Sequence, residues 1–379
     1  MEEWKEYKLG DILNFRRGHD LPKSEMKAGD IPVAGSNGII GYHDTATPVS
    51  PCITIGRSGN VGTPYIYDKC WAHNTVLYVD DFKGNNPLYL FYLLKTLPLS
   101  SFGGGSAVPT LNRNHIHPLL VRHTSDLKLQ ERIATLLKSL DDKIDCNRRI
   151  NDNLEQQAQA LFKSWFVDFE PFRDGEFEES ELGMIPKGWE VKSLSDIADY
   201  INGLAMQKYR PLDGEVGLPV LKIKELGQGF CDDSSELCSP SLIGEKYIIN
   251  DGDIIFSWSG TLMVKVWCGG KCGLNQHLFV VVPQGFPGWF AYKWTQHHLD
   301  NFIRIAKDKA VTMGHIKRGE LDKAKVVVPD ETEMGSIEAL MAPLFRQIIV
   351  NQIESRRLAQ LRDTLLPRLM SGEVTVNEL

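Results

Sequence analysis

The chain has 379 residues, 42% of them hydrophobic and 24% charged, and a formal net charge of −7 at neutral pH. That length predicts two or three domains, each able to enclose a core, and the balance excludes a disordered or fibrous chain. The absence of a long apolar run argues against a membrane span, the opening MEEWKEYKLG lacks the regions of a secretory signal, and seven cysteines without framework spacing suit a reducing, cytoplasmic setting.

Residues 1–123 alternate short β-rich runs (Cys52–Ile55, Tyr65–Tyr67, Val76–Val79, Leu119–Arg122) with Gly, Pro, Asn and Asp, which predicts an α+β domain with many loops. A helix is expected over Pro87–Leu97, followed by a flexible tract at Ser100–Ser106. From Leu127 to Phe166 the pattern changes. Leu129, Ile133, Leu136, Leu140, Ile144, Asn147, Asn151, Leu154, Ala158, Leu161 and Trp165 are spaced by threes and fours, the seam of a coiled coil. Ser125 or Asp126 can cap the start, and about forty residues at ~1.5 Å each make a rod of roughly 60 Å. Asp168–Lys187 reads as an exposed acidic connector. Strands are expected near Val220–Ile223, Asp253–Ser257, Leu278–Val282 and Lys325–Val328, with a helix near Trp289–Ile305. A second rod follows, which Pro343 and Pro367 should kink or interrupt. The divisions are therefore 1–123, a helix at 124–168, a connector at 169–187, a second α+β domain at 188–329 and a C-terminal helix at 330–379.

The two halves repeat each other. Trp4, Leu9, Asp11, Ile12, Gly18 and Lys23 recur 185 residues later as Trp189, Leu194, Asp196, Ile197, Gly203 and Lys208. At a shift of 201, Ile53, Ser58, Gly59, Asn74 and Leu77 recur as Ile254, Ser259, Gly260, Asn275 and Leu278. The rods match at 204, with Ile133, Leu136, Leu140, Ile144, Asn147, Leu154 and Leu161 against Ile337, Leu340, Leu344, Ile348, Asn351, Leu358 and Leu365. The shift is constant within each block and grows only between blocks, as lengthened loops would produce. Asn147 and Asn151 fall on the seam, answered by Asn351 and Ser355, and a polar seam residue fixes register. The expected fold is α+β, with two homologous domains separated by two long helices packed as an antiparallel coiled coil. Its pseudo-two-fold symmetry matches that of duplex DNA.

The acidity lies mostly outside the two domains. Residues 1–123 carry 12 basic and 11 acidic side chains and residues 188–329 carry 16 of each, whereas 168–187 carry 2 against 7. Arg16–Arg17, Lys222–Lys224 and Lys307–Arg318 are local candidates for phosphate contacts. Neither domain is strongly basic, so tight DNA binding should need a more basic partner.

Enzyme signatures are incomplete. Asn86-Pro87-Leu88-Tyr89 resembles an amino-methyltransferase signature with the wrong third position, and Phe102–Gly105 lies too close to it for a cofactor domain to intervene. No phosphate-cradling Gly-x-x-x-x-Gly-Lys motif occurs. Cys268, Cys272 and His277, with Cys238, read better as strand-end residues than as zinc ligands, and the His297–His298 pair reads as solvent-facing. No catalytic residue or metal site is expected.

Recognition fits better. Ile55–Asn60 (IGRSGN) aligns with Phe256–Thr261 (FSWSGT), a small-residue turn after a strand that carries different large side chains in each copy. Arg57, Ser58 and Asn60, like Trp258 and Ser259, are candidate DNA contacts; Arg can pair bidentately with guanine and Asn with adenine. His73 and Asn74 match Asn275, Gln276 and His277 at a second position, and Arg113, Lys309 and Lys317 are candidate backbone contacts.

Taken together, the pattern resembles the DNA-specificity subunit of type I restriction–modification systems. Leu182–Trp189 looks like the start of that family's second target-recognition domain, and Gln130–Phe166 looks like its central helix. Asp253-Ile254-Ile255 fits its strand signature, while Glu333–Ile337 departs from the usual Glu-Gln pair. The resemblance implies that each domain reads one half of a bipartite asymmetric site in double-stranded DNA. It implies that the helices set the gap and dock two methyltransferase subunits, and that two translocase–nuclease subunits complete the complex. S-adenosylmethionine, ATP and Mg would then belong to the partners, with no cofactor on this chain. A methylation-only complex, a fused methyltransferase or nuclease, and a protein-binding scaffold are the alternatives.

Overall fold

The computed structural model describes residues 4–104, 109–308 and 316–376. Gly105 and Ser106 of the flexible tract, and Lys309, lie outside the described residues. The chain forms two compact units, Met1–Lys143 with Leu358–Leu379, and Ile144–Arg357.

The first unit runs β1 (Trp4–Lys8), α1 (Leu9–Ile12), β2 (Asn14–Arg17), β3 (Ile31–Gly35), β4 (Gly38–His43), β5 (Cys52–Gly56), β6 (Pro64–Tyr67), β7 (Trp71–Ala72), β8 (Val76–Asp81), α2 (Pro87–Thr96), α3 (Arg113–Ile116) and β9 (Leu120–Thr124) into the first half of α4 (Leu127–Phe166). One antiparallel sheet has the order β2-β8-β5-β6 and a smaller one β4-β3-β7, with β3 and β7 parallel; β1 pairs with β9. Cys52–Gly56 is buried throughout, as its central place in the sheet requires of an unbroken apolar run. Helix α2 has Pro at its first turn and Asn86 at its N-cap, whose Oδ1 accepts the Tyr89 N–H at 3.0 Å. Its residues Tyr89–Leu94 are all buried against the sheet and against Leu129, Ile133 and Leu137 of α4. Each fully buried Leu or Ile contributes roughly 1.5–3 kcal/mol. Asp126 is the residue that caps α4, accepting from the N–H groups of Lys128 and Leu129. Buried Gln130 ties the two helices together, accepting the Asn86 N–H at 2.8 Å and donating to Asn85 Oδ1 and the Thr124 carbonyl.

The second unit repeats the plan. After a hairpin of β10 (Phe177–Ser180) and β11 (Gly183–Pro186) come β12 (Glu190–Ser193), α5 (Leu194–Ile197), β13 (Ala198–Asn202), β14 (Leu218–Leu221), α6 (Ile223–Gln228), β15 (Leu237–Cys238), β16 (Ile248–Ile249), β17 (Ile254–Ser257), β18 (Met263–Val266), β19 (Cys272–Leu274), β20 (Leu278–Pro283), α7 (Gly288–His297), α8 (Leu299–Asp308), α9 (Gly319–Lys323), β21 (Lys325–Val328) and α10 (Glu331–Ser371). The sheet β13-β20-β17-β18 has the strand order of β2-β8-β5-β6; the parallel pair β14/β19 answers β3/β7, and β12/β21 answers β1/β9.

Four expectations are corrected. The acidic connector is a folded hairpin with Ile185 buried, while Phe169 and Phe172 pack their rings on Trp189; its acids lie on the outer face. The helix expected over Trp289–Ile305 is two helices, broken at His298, where ψ is −6°. Of the His297–His298 pair, His297 is exposed as expected but His298 does not face solvent: its ring stacks on Trp294 and its Nε2 bonds the Lys325 carbonyl at 2.8 Å. Burial lowers the His298 pKa to about 4. Helix α10 runs uninterrupted through Pro343 and Pro367, because the flanking turns are anchored by buried Ile337, Met341 and Ile348 and by Leu365, Leu366, Leu369 and Met370. The matched leucine Leu340 is 50% exposed, and Met341 takes the core position beside it.

Within each unit a part of α4 lies against a part of α10. In the second unit Asn147 Nδ2 donates to Glu354 Oε2 at 2.7 Å and to Ser355 Oγ at 3.2 Å. Asn151 donates to the Ile348 carbonyl at 3.1 Å and accepts from Asn351 Nδ2 at 2.9 Å. Partners fall in number along α10 as they rise along α4, so the strands of this seam are antiparallel. Arg356 makes a bidentate pair with Asp251 at 2.7 and 2.8 Å. In the first unit Arg362 meets Asp141 at 2.5 Å, and Tyr92 donates to the same carboxylate. Ile133, Asn147, Ile337, Ile348, Asn351 and Leu365 are buried, whereas Leu140, Ile144, Leu154, Leu161, Leu344 and Leu358 are half-buried at the seam edge. Gly372, at φ +71°, ends α10 where a Cβ would strike the Trp4 ring.

Candidate nucleic-acid interface

A shared backbone frame builds the same platform in each unit. In the first, β2 ends at Gly18, whose N–H donates to the Val76 carbonyl at 3.0 Å; in the second, Gly203 donates to Leu278 at 3.0 Å. A Cβ would fall 2.0 Å from the His73 carbonyl oxygen at Gly18 and 2.2 Å from that of Asn275 at Gly203, so only glycine fits. Leu111 N–H donates to the Arg57 carbonyl, and Ile316 N–H donates to the Trp258 carbonyl. Arg113 donates to the Phe15 carbonyl at 3.0 Å, and Arg318 to the Tyr200 carbonyl at 2.6 Å. Six backbone positions thus correspond in pairs, with His73 and Val76, not the expected Asn74 and Leu77, answering Asn275 and Leu278, although the side chains between them differ.

In the first unit the frame encloses a cavity of about 390 Å³ lined by Arg16, Arg17, Arg57, Leu77, Thr110, Leu111, Asn112 and Arg113. Arg57 Nη1 donates to the Asn74 carbonyl at a long 3.3 Å, which orients the guanidinium and leaves most of its donors for a ligand. Asn112 caps α3 by accepting the Asn114 N–H. His117 Nε2 accepts the Phe15 N–H, a role only the unprotonated nitrogen can fill; burial, then the Arg113 charge, lowers its pKa. Ser58 and Asn60 sit on the turn above the cavity, Asn60 exposed. His73 bonds Thr75 through Nδ1, and Asn74 Nδ2 donates to Asp20.

The second unit places different groups on the same frame. Trp258 is half-buried, its Nε1 donating to Asn202 at 3.0 Å and its ring against Phe279. Ser259 and Asn275 are buried and engaged internally: Ser259 Oγ bonds His277 Nδ1 at 3.0 Å, and Asn275 Oδ1 accepts the His277 N–H. Gln276 lies between Asn275 and His277 at 3.2 and 3.4 Å, and the half-buried Trp258 ring stands beside His277. Lys317 is exposed next to Arg318. Lys222 and Lys224 are paired with Glu236 and Asp232, so this basic cluster carries little net charge.

Among the described residues no group of His, Cys, Asp and Glu is arranged to hold a metal. Cys268 is a buried thiol pushed up to about 12 by burial, as suits a neutral strand-end residue rather than a thiolate ligand. Asn112 and Asn202 are functional candidates that spacing alone missed. Aligning residue 17 with 202 through the repeat would have found the second of them. Among the described residues no helix is long and apolar enough to cross a membrane.

A family model described as type I restriction modification DNA specificity domain matches residues 1–156 and 186–361. The chain is 31% identical over 304 residues to the type I restriction enzyme MjaIX specificity subunit of Methanocaldococcus jannaschii, covering 77% of this chain and 70% of that one. It is 25% identical over 313 residues to the HindI specificity subunit of Haemophilus influenzae, covering 66% and 68%. The fold is similar to the crystal structure of the type I restriction–modification S subunit from M. genitalium, with a TM-score of 0.61 at 15% identity over 97% of this chain and 96% of the other.

Proposed function

We propose, from the premise that this chain belongs to the type I restriction–modification DNA-specificity family, that each α+β unit reads one half of a bipartite asymmetric DNA site. The long helices set the gap between the halves and dock two methyltransferase subunits, which bring S-adenosylmethionine and methylate adenine. Two further subunits bring ATP, Mg and cleavage. The chain itself supplies recognition and no bond-making group. What supports this reading is the pairing of Arg57 with Trp258 on one repeated frame: equal geometry with unlike side chains is what two readers of two different half-sites need. The half-sites would be read in the major groove, where donor and acceptor patterns are distinct. Flipping and methylating the adenine falls to the partner.

The test is to co-express the chain with a type I modification subunit and sequence the DNA that the complex retains from a random pool. Enrichment of two short blocks separated by unspecified bases is expected. Retention without sequence preference would identify a scaffold instead, and methylation by the purified chain alone with labelled S-adenosylmethionine would identify an enzyme. Removing one heptad from α4 and its facing heptad from α10 shortens the helices by about 10 Å. The unspecified gap should shrink by about three base pairs at ~3.4 Å each; an unchanged gap with intact binding would contradict the spacer role.

A further inference from the structure

The two units differ most in charge at equivalent positions. Four arginines, Arg16, Arg17, Arg57 and Arg113, are among the residues that line the first unit's cavity, and among the described residues no acidic residue lines it. Asp20 lies 3.8 Å from Arg17 with both side chains exposed, a pair that solvent screens strongly. In the second unit the matching residues are Ile201, Asn202, Trp258 and Arg318, so a single arginine remains, already bonded to the Tyr200 carbonyl. A guanidinium has five donors and no acceptor. A cavity lined by arginines and by no acidic residue among those described favours a group that only accepts.

Resting on the half-site reading above, we infer that the first unit's arginine cavity is a specificity-determining pocket for an all-acceptor group of DNA. The second unit, with one arginine at the matching positions, grips its half-site without such a pocket. Two groups on duplex DNA have that chemistry: the O6/N7 edge of guanine and the phosphodiester oxygens. Arg57 is the central residue of the pocket. It sits at the end of the buried strand β5, and its backbone is pinned on both sides, by N–H donation to Thr75 and by carbonyl acceptance from Leu111. Arg113 positions the wall through its bond to Phe15, whereas Arg16 and Arg17 are exposed at the rim. Positive charge that the exposed Asp20 offsets only in part makes this the half of the chain whose grip on DNA depends most on salt.

The experiment uses the complex with the modification subunit, a random DNA pool, and binding to a random-sequence duplex over a range of salt. The variants are Arg57→Gln, Arg57→Lys, the triple Arg16→Gln/Arg17→Gln/Arg57→Gln, and Trp258→Ala as the second-unit counterpart. If the group is guanine, Arg57→Gln and Arg57→Lys both relax one position of one half-site by about tenfold or more, because lysine keeps the charge but loses the fork. If the group is a phosphate, Arg57→Lys binds nearly as wild type. The triple then lowers the salt slope by about one per lost contact without changing the selected bases. Either result supports the pocket, and each names its occupant. A triple variant that melts like wild type and keeps both the selected half-sites and the salt slope overturns it. The failure of the broader reading looks different: the wild-type complex would enrich no bipartite site, while the salt slope on random duplex would still report on the arginines.

Discussion

The first unit carries arginine where the second carries tryptophan, yet the backbone beneath is the same. Gly18 and Gly203 pack against equivalent carbonyls, and Arg113 and Arg318 brace equivalent strands. The difference is confined to side chains on the turn after the central strand and on the strand beside it. The proposed separation of fold from specificity rests on this: the frame is set by close backbone packing that tolerates no change, and the candidate reading groups are the side chains that differ upon it.

The sharpest way to break that comparison is at the glycines. Gly18→Ala and Gly203→Ala should each destabilise the protein by on the order of 3 kcal/mol, since the new methyl group collides with backbone rather than with a movable side chain. Calorimetry of the two variants should give equal losses, and a large loss at one position only would show that the frames are not equivalent.

A pH titration sharpens it next. His123 in the first unit and His298 in the second are both lowered by burial to about 4 from an ordinary value of 6.5. Between those values the unfolded chain takes up protons that the folded chain refuses, so stability is complete above pH 6.5 and falls as pH drops toward 4. Each histidine should contribute on the order of 2–3 kcal/mol to that loss. Denaturant unfolding at pH 7 and pH 5 should therefore diverge less in His123→Phe than in wild type, and an unchanged divergence would count against the assignment.

Smaller effects come from the rods. Asn147→Leu and Asn351→Leu each strand buried polar partners in one network, so each should cost about 1–3 kcal/mol, with the double variant losing less than the sum. Additive losses in a double-mutant cycle would deny that they share the network. Smallest of all, Lys138→Ala removes an exposed pair with Asp142 and should change stability by no more than about 0.5 kcal/mol. Its counterpart, Ala342, instead packs on the second unit's core.

Much of this was legible because periodicity reports burial. The run from Leu127 to Phe166 is one helix to the residue, and Cys52, Ile53 and Ile55 announce a buried strand. What escaped depends on contacts that spacing does not encode. The hairpin at Phe177–Pro186 looked like a connector because its acids are exposed and only Ile185 and Pro186 are buried. The break falls at His298, whose ring bonds the carbonyl of Lys325, distant in sequence, and the prolines of α10 are tolerated because buried neighbours hold their turns. Among site residues, Arg57 was visible as the odd member of a repeated turn. Its convergence with Arg16 and Arg113 in one cavity depends on how β2, β5 and α3 come together.

The measurement that bears most directly on one frame carrying two readers is an exchange of residues 1–123 for the equivalent domain of another specificity subunit. The selected DNA would then be sequenced from the reconstituted complex. One half of the recognised sequence should change while the other half and the gap stay as they were; a change in both halves would contradict the account.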